Sequence, residues 1–404
     1  MISKNRWPIV LCIGLAFAVT SCGDDDDDPI TPPADCECLS SIEGPADEFV
    51  YVANADSDNV TVINPRDCCV VATIAVGDNP GELNASADGE WVFVSNNDEG
   101  TVTVIHTEDN DVHETVTVGA GPLHSFWNPD HTELWVKNDD GASVSVIDLV
   151  TLNVTTIPTG SGHGKMAMAP GAAAGEFTVY VSNIGTDNIT AINGNTKQVE
   201  ATIPVGESPH GMDYSSVSKN VYNASDAGVE VIATEGAEKN TVLTTIAVPT
   251  RGNYMHASPD GSQMWMTSPG ADQVVVIDCA GDSVLATVTA GDNPDKIAFM
   301  EGDVAAISNV LSADLTLINM NTLQLIASVD VGGLGYWNQQ FGFGHRQVKE
   351  SLDGEFAYVP NGADDTFTII HVPTRTAKVL SIPTGGQPGA VIVAGPTGGG
   401  AYPR

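Results

Sequence analysis

Basic residues are scarce in this chain of 404 residues. Lys and Arg number 15 together, against 52 Asp and Glu, so the formal net charge is −37 at pH 7. An acidic surface of this strength repels nucleic acid and anionic lipid headgroups. The composition therefore argues against nucleic acid as a partner and against direct binding to a membrane surface.

Long apolar runs are also rare, and the one near the start of the chain is too short for a good membrane span. It covers residues 7–20 and follows Lys4 and Arg6, which is typical of an export signal. The run ends in Val19-Thr20-Ser21-Cys22. This ending resembles the lipobox of bacterial lipoproteins, which implies that residues 1–21 are removed and that Cys22 is acylated, for example with palmitate. An ordinary secretory signal with a chance cysteine is the alternative.

Residues 22–45 lack the apolar side chains that a folded core needs. Five Asp follow Gly23 directly, and prolines continue to Pro45. Such a segment should stay extended and solvated, as a tether. An acidic run after a lipidated cysteine also resembles the surface-export signal of Bacteroidota lipoproteins. The resemblance implies an outer-membrane lipoprotein at the cell surface that meets the membrane only through its anchor; a plain spacer is the alternative.

Several catalytic and cofactor motifs are missing from the sequence. There is no Gly-x-Ser-x-Gly elbow, no P-loop, no His-Glu-x-x-His and no Cys-x-x-Cys-His. The last absence argues against covalently attached haem. The sequence leaves enzymatic activity undecided and favours a non-enzymatic role.

Cysteines are few, and five of the seven lie beyond Cys22: Cys36, Cys38, Cys68, Cys69 and Cys279. Export places them in an oxidising compartment, where disulfides persist. We expect one or two bridges among the first four, which would pin the end of the tether to the first repeat described below. A metal site built from the same four thiols is the sharper alternative. Cys279 falls in an outer turn, where a free thiol is expected.

A short repeat, by contrast, is abundant. Eight times a hydrophobic strand ends in an Asn- or Asp-rich turn and a second strand follows, as in Val92-Phe-Val-Ser-Asn96 and Val102-Thr-Val-Ile105. The copies begin at Tyr51, Val92, Leu134, Val179, Val221, Met264, Ala306 and Tyr358. A period of roughly 40–50 residues with four strand signals per unit is typical of a β-propeller blade. The sequence predicts an all-β fold, a single eight-bladed propeller of four-stranded antiparallel blades over residues 46–395, with a flexible tail at 396–404.

The first and last units predict how the ring closes. One complete unit reads as strand A (Glu82 to Ser86), B (Trp91 to Ser95), C (Thr101 to Ile105) and D (Glu114 to Val118). The first unit starts at strand B, and the missing strand A recurs at residues 387–393. We therefore expect the C-terminal strand to complete the first blade and to remove an open sheet edge.

These features together resemble the YVTN β-propeller repeat. The resemblance rests on Pro209-His210-Gly211-Met212, Ser258-Pro259-Asp260-Gly261, Val181-Ser182-Asn183 and the strand Ala201-Thr202-Ile203-Pro204-Val205-Gly206, and it covers about residues 46–395. It implies a propeller that serves as a surface or periplasmic binding protein. The repeat is similar to the haem-binding propeller of cytochrome-cd-type nitrite reductases and the copper-binding propeller of nitrous oxide reductases. Most such relatives have seven blades, so a seven-bladed ring is the alternative.

Histidines and basic residues concentrate in one set of loops. Propeller D-to-A loops lie at one mouth of the central channel, and these loops or the start of strand A hold His124, His163, His210, His256, His345, Lys165, Arg251, Lys296 and Arg346. A positive rim within an acidic surface suits an anionic ligand. We predict a ligand-binding scaffold with these residues at its site, for an anionic small molecule, a glycan or a protein.

Other roles for the same loops stay open. The histidines could recur for loop packing alone, or His210 and His256 could ligate copper or haem in a redox-related protein. A lactonase-like hydrolase would use Glu82, Asp213, Asp295 and His256. The aromatic residues near these loops could form an apolar wall or simply fill the channel: Trp127, Tyr254, Tyr336 and Trp337.

Overall fold

Eight four-stranded antiparallel sheets make up the fold in the computed structural model, which describes residues 45, 48–338, 343–381 and 385–395. The first strands of consecutive sheets contact one another, so they surround a common axis. We call these the inner strands and each sheet a blade. The eight-bladed prediction is confirmed, and the seven-bladed alternative is wrong.

The strand bounds follow the repeat. Blade 1 contains β1 (Phe49–Asn54), β2 (Asn59–Asn64) and β3 (Cys69–Ala75). Blade 2 contains β4 (Pro80–Ala85), β5 (Trp91–Asn96), β6 (Thr101–His106) and β7 (Asp111–Thr117). Blade 3 contains β8 (Pro122–Trp127), β9 (Glu133–Asn138), β10 (Ser143–Asp148) and β11 (Val154–Pro158). Blade 4 contains β12 (Met166–Pro170), β13 (Phe177–Asn183), β14 (Asn188–Asn193) and β15 (Gln198–Pro204).

The second half continues the pattern. Blade 5 contains β16 (Met212–Ser215), β17 (Asn220–Ser225), β18 (Gly228–Ala233) and β19 (Val242–Ile246). Blade 6 contains β20 (Met255–Ala257), β21 (Gln263–Ser268), β22 (Gln273–Asp278) and β23 (Ser283–Thr289). Blade 7 contains β24 (Pro294–Met300), β25 (Val304–Asn309), β26 (Asp314–Asn319) and β27 (Gln324–Asp330). A separate hairpin pairs β28 (Tyr336–Asn338) with β29 (Phe343–His345). Blade 8 contains β30 (Lys349–Glu350), β31 (Phe356–Asn361), β32 (Thr366–His371) and β33 (Thr376–Ser381), and β34 (Pro388–Ala394) follows.

Helical structure in the described residues is limited to two 3₁₀ turns, Ala55–Ser57 and Pro269–Ala271. No helix there has the length and hydrophobicity that a membrane crossing requires. The Asp-Gly pairs form the tight turns that the sequence predicted, since Gly89, Gly261 and Gly354 all have φ near +70°.

The ring closes in blade 1. β34 pairs antiparallel with β1 and places Val391 opposite Val52, so the last strand supplies the inner strand of the first blade. This closure was predicted, and it leaves β1 paired on both sides. A side-chain contact adds to it. The buried Glu48 carboxylate accepts hydrogen bonds from the Tyr358 hydroxyl and, at 2.8 Å, from Leu352 N–H.

Aromatic side chains in the second strands fasten neighbouring blades. The Tyr51 hydroxyl donates to Asn110 in the next blade at 2.8 Å, and the Tyr180 hydroxyl donates to Asn240 at 2.7 Å. Asn110 and Asn240 have positive φ, which places each at a tight outer turn. At each of these two interfaces, a tyrosine–asparagine hydrogen bond lies at the outer end of the apolar core between the blades.

Asparagines at the ends of second strands set the position of the inner strands. Asn138 Nδ2 donates to Ser143 and Ser145 of the third strand at 3.0 and 2.9 Å, and its Oδ1 accepts from Gly119 N–H at 3.2 Å. A Cβ on Gly119 would lie 2.5 Å from Asn138 Nδ2, so only glycine fits there. This contact anchors the loop that leads into the next inner strand.

Some predictions concern residues outside the described part of the chain: the signal at 1–21, Cys22, most of the tether at 22–45 and the tail at 396–404. Cys68 and Cys69 are disulfide-bonded, whereas Cys36 and Cys38 lie outside the described residues, so the pairing stays a prediction. Cys279 is a free, buried thiol, and burial raises its pKa to about 11.

Candidate ligand-binding site

Five blades present a side chain from the same position of their inner strands. The position lies two residues after Pro80, Pro122, His163, Gly252 and Pro294. Its occupants are Glu82, His124, Lys165, Tyr254 and Lys296. Because the inner strands surround the axis, these side chains converge. Together with Asp139, His163, His210 and Asp295 we call them the central cluster.

Lys165 lies at the middle of this cluster. Its ammonium nitrogen is 3.0 Å from His124 Nδ1 and 2.8 Å from His124 Nε2. His124 Nδ1 is also 2.5 Å from Glu82 Oε2. Lys165 and His124 are both buried. Blades 2, 3 and 4 thus supply a continuous acid–imidazole–amine contact.

A second group extends the cluster along one side. His163 Nδ1 is 2.6 Å from Asp139 Oδ2, and Lys137 donates to Asp139 Oδ1 at 2.7 Å and to Gly162 O at 2.6 Å. The His163 ring lies between two others, with centroids 5.1 Å from His124 and 4.7 Å from His210. Three imidazoles are therefore in contact, and Asp139 holds the middle one.

Tyr254 and Lys296 complete the cluster on its other side. The ammonium nitrogens of Lys296 and Lys165 lie 4.4 and 5.5 Å from the centroid of the Tyr254 ring. Cations at this distance from an aromatic face are attracted by its quadrupole. Asp295, which is buried, is 3.8 Å from the Lys296 nitrogen.

Burial and like charges shift the titration of these groups. Burial, with the charges of Lys165 and His163 next, lowers the pKa of His124 well below its usual value. Burial and His163 do the same to the pKa of His210. Burial, reinforced by Lys296 and opposed by Glu82, lowers the pKa of Lys165.

The carboxyl groups of the cluster shift in opposite directions. Burial raises the pKa of Glu82, against the opposing charge of Lys165. Burial also acts to raise the pKa of Asp139, but the hydrogen bond and charge of His163 outweigh it, so that pKa is lowered. The shift of the Asp139 pKa favours its anion, whereas the shifts of the Glu82 and Lys165 pKa values favour their neutral forms.

A cavity of about 230 Å³ opens beside Lys165. Both polar and sulfur-containing side chains line it: Glu82, His124, Ser125, Phe126, Lys165, Met166, Met212, Asp213, Tyr254, Met255 and His256. The combination of apolar walls with a few convergent polar groups is usual for a small-molecule site.

The structure brings together five of the nine predicted ligand-binding residues: His124, His163, His210, Lys165 and Lys296. His256 lines the same cavity further along, where its Nδ1 is 3.3 Å from Ile297 O and its ring packs on Phe299. His210 Nδ1 donates to Asn253 O at 2.6 Å. His210 and His256 each contact a main-chain carbonyl of the next blade, which supports the packing role for part of their function.

The other predicted residues lie apart from the cluster. Arg251 is half-exposed and forms an ion pair with Asp226 at 3.2 Å. Arg346 is fully buried, and its guanidinium donates to the carbonyl oxygens of Asn309, Ser312 and Gly333. These contacts give it a role in the fold of that loop.

Two further predictions concern aromatic and histidine side chains near the same loops. The side chain of His345, like those of Tyr336 and Trp337, is outside the description of the structure. Trp127 belongs to the core between blades, since its Nε1 donates to Ala85 O and its ring packs on Phe93.

Sequence reasoning missed Lys137 and Asp139 and gave Glu82 and Asp295 only a hydrolase role. Asp139 could have been found from its position directly after a second strand. The loop there lies at the same mouth of the channel as the loops that lead into the inner strands. The signal for Glu82 was its register with His124 and Lys165. The sequence prediction selected histidines and basic residues, so it assigned neither carboxylate to the ligand-binding site.

The central cluster does not suit a metal cation. Both ring nitrogens of His124 face the Lys165 amine, and a second lysine lies over the same tyrosine ring. A metal ligand needs a free nitrogen lone pair, and the contacts with Glu82 and Lys165 occupy both nitrogens of His124. Among the described residues, no group of three or more His, Cys, Asp or Glu side chains has a metal-binding arrangement.

Comparison with solved structures identifies similar folds. AztD of Citrobacter koseri superposes with a TM-score of 0.67 at 14% identity, covering 88% of this chain and 99% of AztD. The dihydro-heme d1 dehydrogenase NirN, solved in complex with DHE, gives 0.69 at 16% identity and covers 89% and 78%. Hydrazine synthase of Kuenenia stuttgartiensis gives 0.55 at 20% identity and covers 76% and 96%. Identities this low show a shared fold alone.

Comparison with curated proteins gives no match. A family model for YNCE-like β-propellers matches residues 42–306, which are 265 of the 404 residues. The match confirms the propeller resemblance seen in the repeat. The chain belongs to the YNCE-like β-propeller family.

Proposed function

We propose that this protein is a binding protein whose ligand is a small anionic molecule held at the central cluster. The observation that carries the proposal is the pair of side-chain nitrogens of Lys165 and Lys296, which lie 5.5 and 4.4 Å from the centroid of the Tyr254 ring, with Lys165 and Tyr254 lining a cavity of about 230 Å³. A carboxylate or phosphate between them would form charge-assisted hydrogen bonds with both.

The charge distribution supports an anion. The chain has only 15 basic residues against 52 acidic ones, yet it buries Lys137, Lys165 and Lys296 close to the axis. A buried charge is expensive unless it is paired. Asp139 pairs with Lys137 and Asp295 lies 3.8 Å from the Lys296 nitrogen, whereas an incoming anion would supply a counter-charge for Lys165. An acidic exterior around this site would also select against larger polyanions.

The test compares cluster lysines with surface lysines. Binding of pyruvate, citrate and inorganic phosphate is measured by calorimetry for the wild type, for Lys165→Met with Lys296→Met, and for Lys219→Met with Lys239→Met. Lys219 and Lys239 form exposed or half-exposed ion pairs at 3.2 and 2.8 Å and serve as the matched control. We expect binding of at least one anion, weakened more than tenfold only in the cluster variant.

Two results would contradict the proposal: no binding of any of the three anions, or equal affinity in both double variants. A glycan or protein partner would then become the better candidate, and an array screen would identify it.

The proposed setting is the cell surface, with the chain attached through a lipid on Cys22. The support is the sequence of the first residues, Lys4 and Arg6 before a short apolar run that ends at Cys22. In cells fed labelled palmitate, we expect the label to be lost in Cys22→Ala and kept in Cys12→Ala, which removes the other cysteine of the leader. Protease added to intact cells then separates surface display from a periplasm-facing location. Label retained in Cys22→Ala would exclude the anchor.

A further inference from the structure

Lys165 differs from the other buried lysine next to it. Lys137 is fully buried and bonds to both a carboxylate and a carbonyl oxygen. Lys165 is almost as buried, but within the described residues no carboxylate forms an ion pair with it, and its closest polar contact is the imidazole of His124. This environment favours the neutral amine of Lys165. A lysine that served only the fold would be expected to stay an ammonium paired with a carboxylate, as Lys137 does.

The neighbours of Lys165 are those of an activated nucleophile. A lysine becomes nucleophilic when it is desolvated or placed beside another cation, because both effects favour the neutral amine. Lys165 has both, since it is buried and its nitrogen and that of Lys296 lie 5.5 and 4.4 Å from the centroid of the same Tyr254 ring. The lowered pKa of Lys165, caused by burial and then by Lys296, agrees with this arrangement. The cavity beside the amine gives a reactant room to approach.

We propose that Lys165 forms a reversible imine with a small carbonyl compound, with a 2-oxo acid as the best-matched class. This inference rests on the proposed anion site, because the carboxylate of a 2-oxo acid would lie against Lys296 while its carbonyl carbon meets the Lys165 nitrogen. A neutral aldehyde of similar size would share the chemistry but not the second contact.

The proton steps can be assigned to described residues. The Lys165 nitrogen attacks the carbonyl carbon, and a carbinolamine forms as the nitrogen loses a proton and the oxygen gains one. His124 contacts both the Lys165 nitrogen and Glu82, so it can pass the proton to the Glu82 carboxylate and return it to the departing hydroxyl. One carbon–nitrogen double bond replaces one carbon–oxygen double bond, and one water leaves. No oxidant or reductant takes part in the binding reaction.

The titratable groups around Lys165 determine at which pH the reaction runs. They come from five blades or the loops before them: Glu82, His124, His163, His210, Asp295 and Lys296. Burial and Lys296 favour the neutral amine of Lys165, whereas Glu82 and Asp295 favour the ammonium. The imine should therefore form at a pH where exposed lysines are still fully protonated.

The experiment traps the imine by reduction. The full chain is incubated at pH 6.5 with pyruvate or acetaldehyde and sodium cyanoborohydride, and the modified lysines are identified by peptide mass spectrometry. We expect Lys165 to be modified at least tenfold faster than Lys219, which is exposed, and pyruvate to react faster than acetaldehyde. Lys165→Arg should abolish the fast labelling, and Lys296→Met should slow it at pH 6.5 and restore it at higher pH.

Modification of Lys165 no faster than Lys219 in the wild type would overturn the inference, and no variant is needed to see it. Circular dichroism of each variant shows whether it folds. If pyruvate binds in calorimetry without an adduct at Lys165, the imine is wrong and the anion site stands. If acetaldehyde and pyruvate label Lys165 equally fast and pyruvate binding ignores Lys296, the imine stands and the anion site is wrong.

Discussion

The central cluster and the ring closure both bury charged side chains near the inner strands, but they treat the charge differently. In the closure, Glu48 accepts one hydrogen bond from the Tyr358 hydroxyl and one from a main-chain N–H. It meets no cation there among the described residues. In the cluster, acids, imidazoles and amines from several blades contact one another around a cavity.

The difference separates a charge that serves the fold from charges that can serve a ligand. Glu48 accepts hydrogen bonds from two donors, and burial raises its pKa to about 7. Lys165 and Lys296 are not satisfied in the same way, because their partners are a shared aromatic ring, an imidazole and a carboxylate at 3.8 Å. A region built only for stability would not be expected to bury two amines together.

The largest effect should come from removing the closure. Deletion of residues 388–404 takes away β34, whose Val391 and Val393 are buried between blades 1 and 8 and whose Ala390 is buried between blades 1 and 2. We expect a loss of roughly 5 kcal/mol or more of unfolding free energy, or failure to fold, since each buried Val contributes about 1.5–3 kcal/mol. Deletion of 396–404 is the control and should leave the thermal unfolding midpoint unchanged. A folded, stable ring without β34 would show that closure is dispensable.

Substitutions of two neighbouring buried lysines, Lys137 beside the central cluster and Lys165 within it, should differ in their effect on the free energy of unfolding. Lys137→Met removes the cation bonded to Asp139 and leaves a buried carboxylate with one charged partner fewer, which should cost roughly 3 kcal/mol. Lys165→Met removes a buried amine that has no ion pair in the described structure, so stability should be unchanged or higher. Urea unfolding of both variants measures the contrast. Equal destabilisation would mean that Lys165 also serves the fold.

An effect of similar size, spread over several pH units, should appear as a pH dependence of the closure. The folded-state pKa of Glu48 is about 7 and its ordinary value is 4.5, so its contribution to stability is complete below pH 4.5. That contribution falls as pH rises through 7, by roughly 3 kcal/mol in total.

Glu48→Gln should flatten this part of the stability profile, because the amide keeps acceptor capacity without a charge. Glu108→Gln, at a position 88% exposed, is the control and should follow the wild type. If the slopes of Glu48→Gln and the wild type agree between pH 4.5 and 7, another group causes the dependence.

Much of the fold could be predicted because each blade repeats the same local sequence pattern. Alternating residues mark the strands, Asp-Gly pairs mark the turns, and the unpaired strand near residue 388 marks the closure. Asn138 shows why the repeat has that residue, but the reason appears only when the amide is seen bonded to the third strand and to the loop before the inner strand. The hairpin of β28 and β29 was not predicted, since it has no counterpart in the other blades.

The site could be predicted only in part, because register is visible in a sequence and orientation is not. Counting cations by loop identified His124, Lys165 and Lys296, which share one position of the inner strand. The same count included Arg346, whose guanidinium turns away to three carbonyl oxygens, and Arg251, which pairs with Asp226 at the surface. Asp139 was missed because acidic residues are frequent throughout this chain, so the acidic partner of a buried lysine does not stand out in the sequence.

The pairing of β1 with β34 has a consequence for engineering. Phe49 lies opposite Ala394, so the chain enters and leaves the ring at neighbouring points. A short linker could join these two points, and new termini could be opened at another turn, such as Asp260-Gly261, without removing a strand from any blade. A circularly permuted chain would therefore keep the same eight blades in the same order around the ring and begin at a different blade. Permuted versions could place the two termini at a chosen position on the rim.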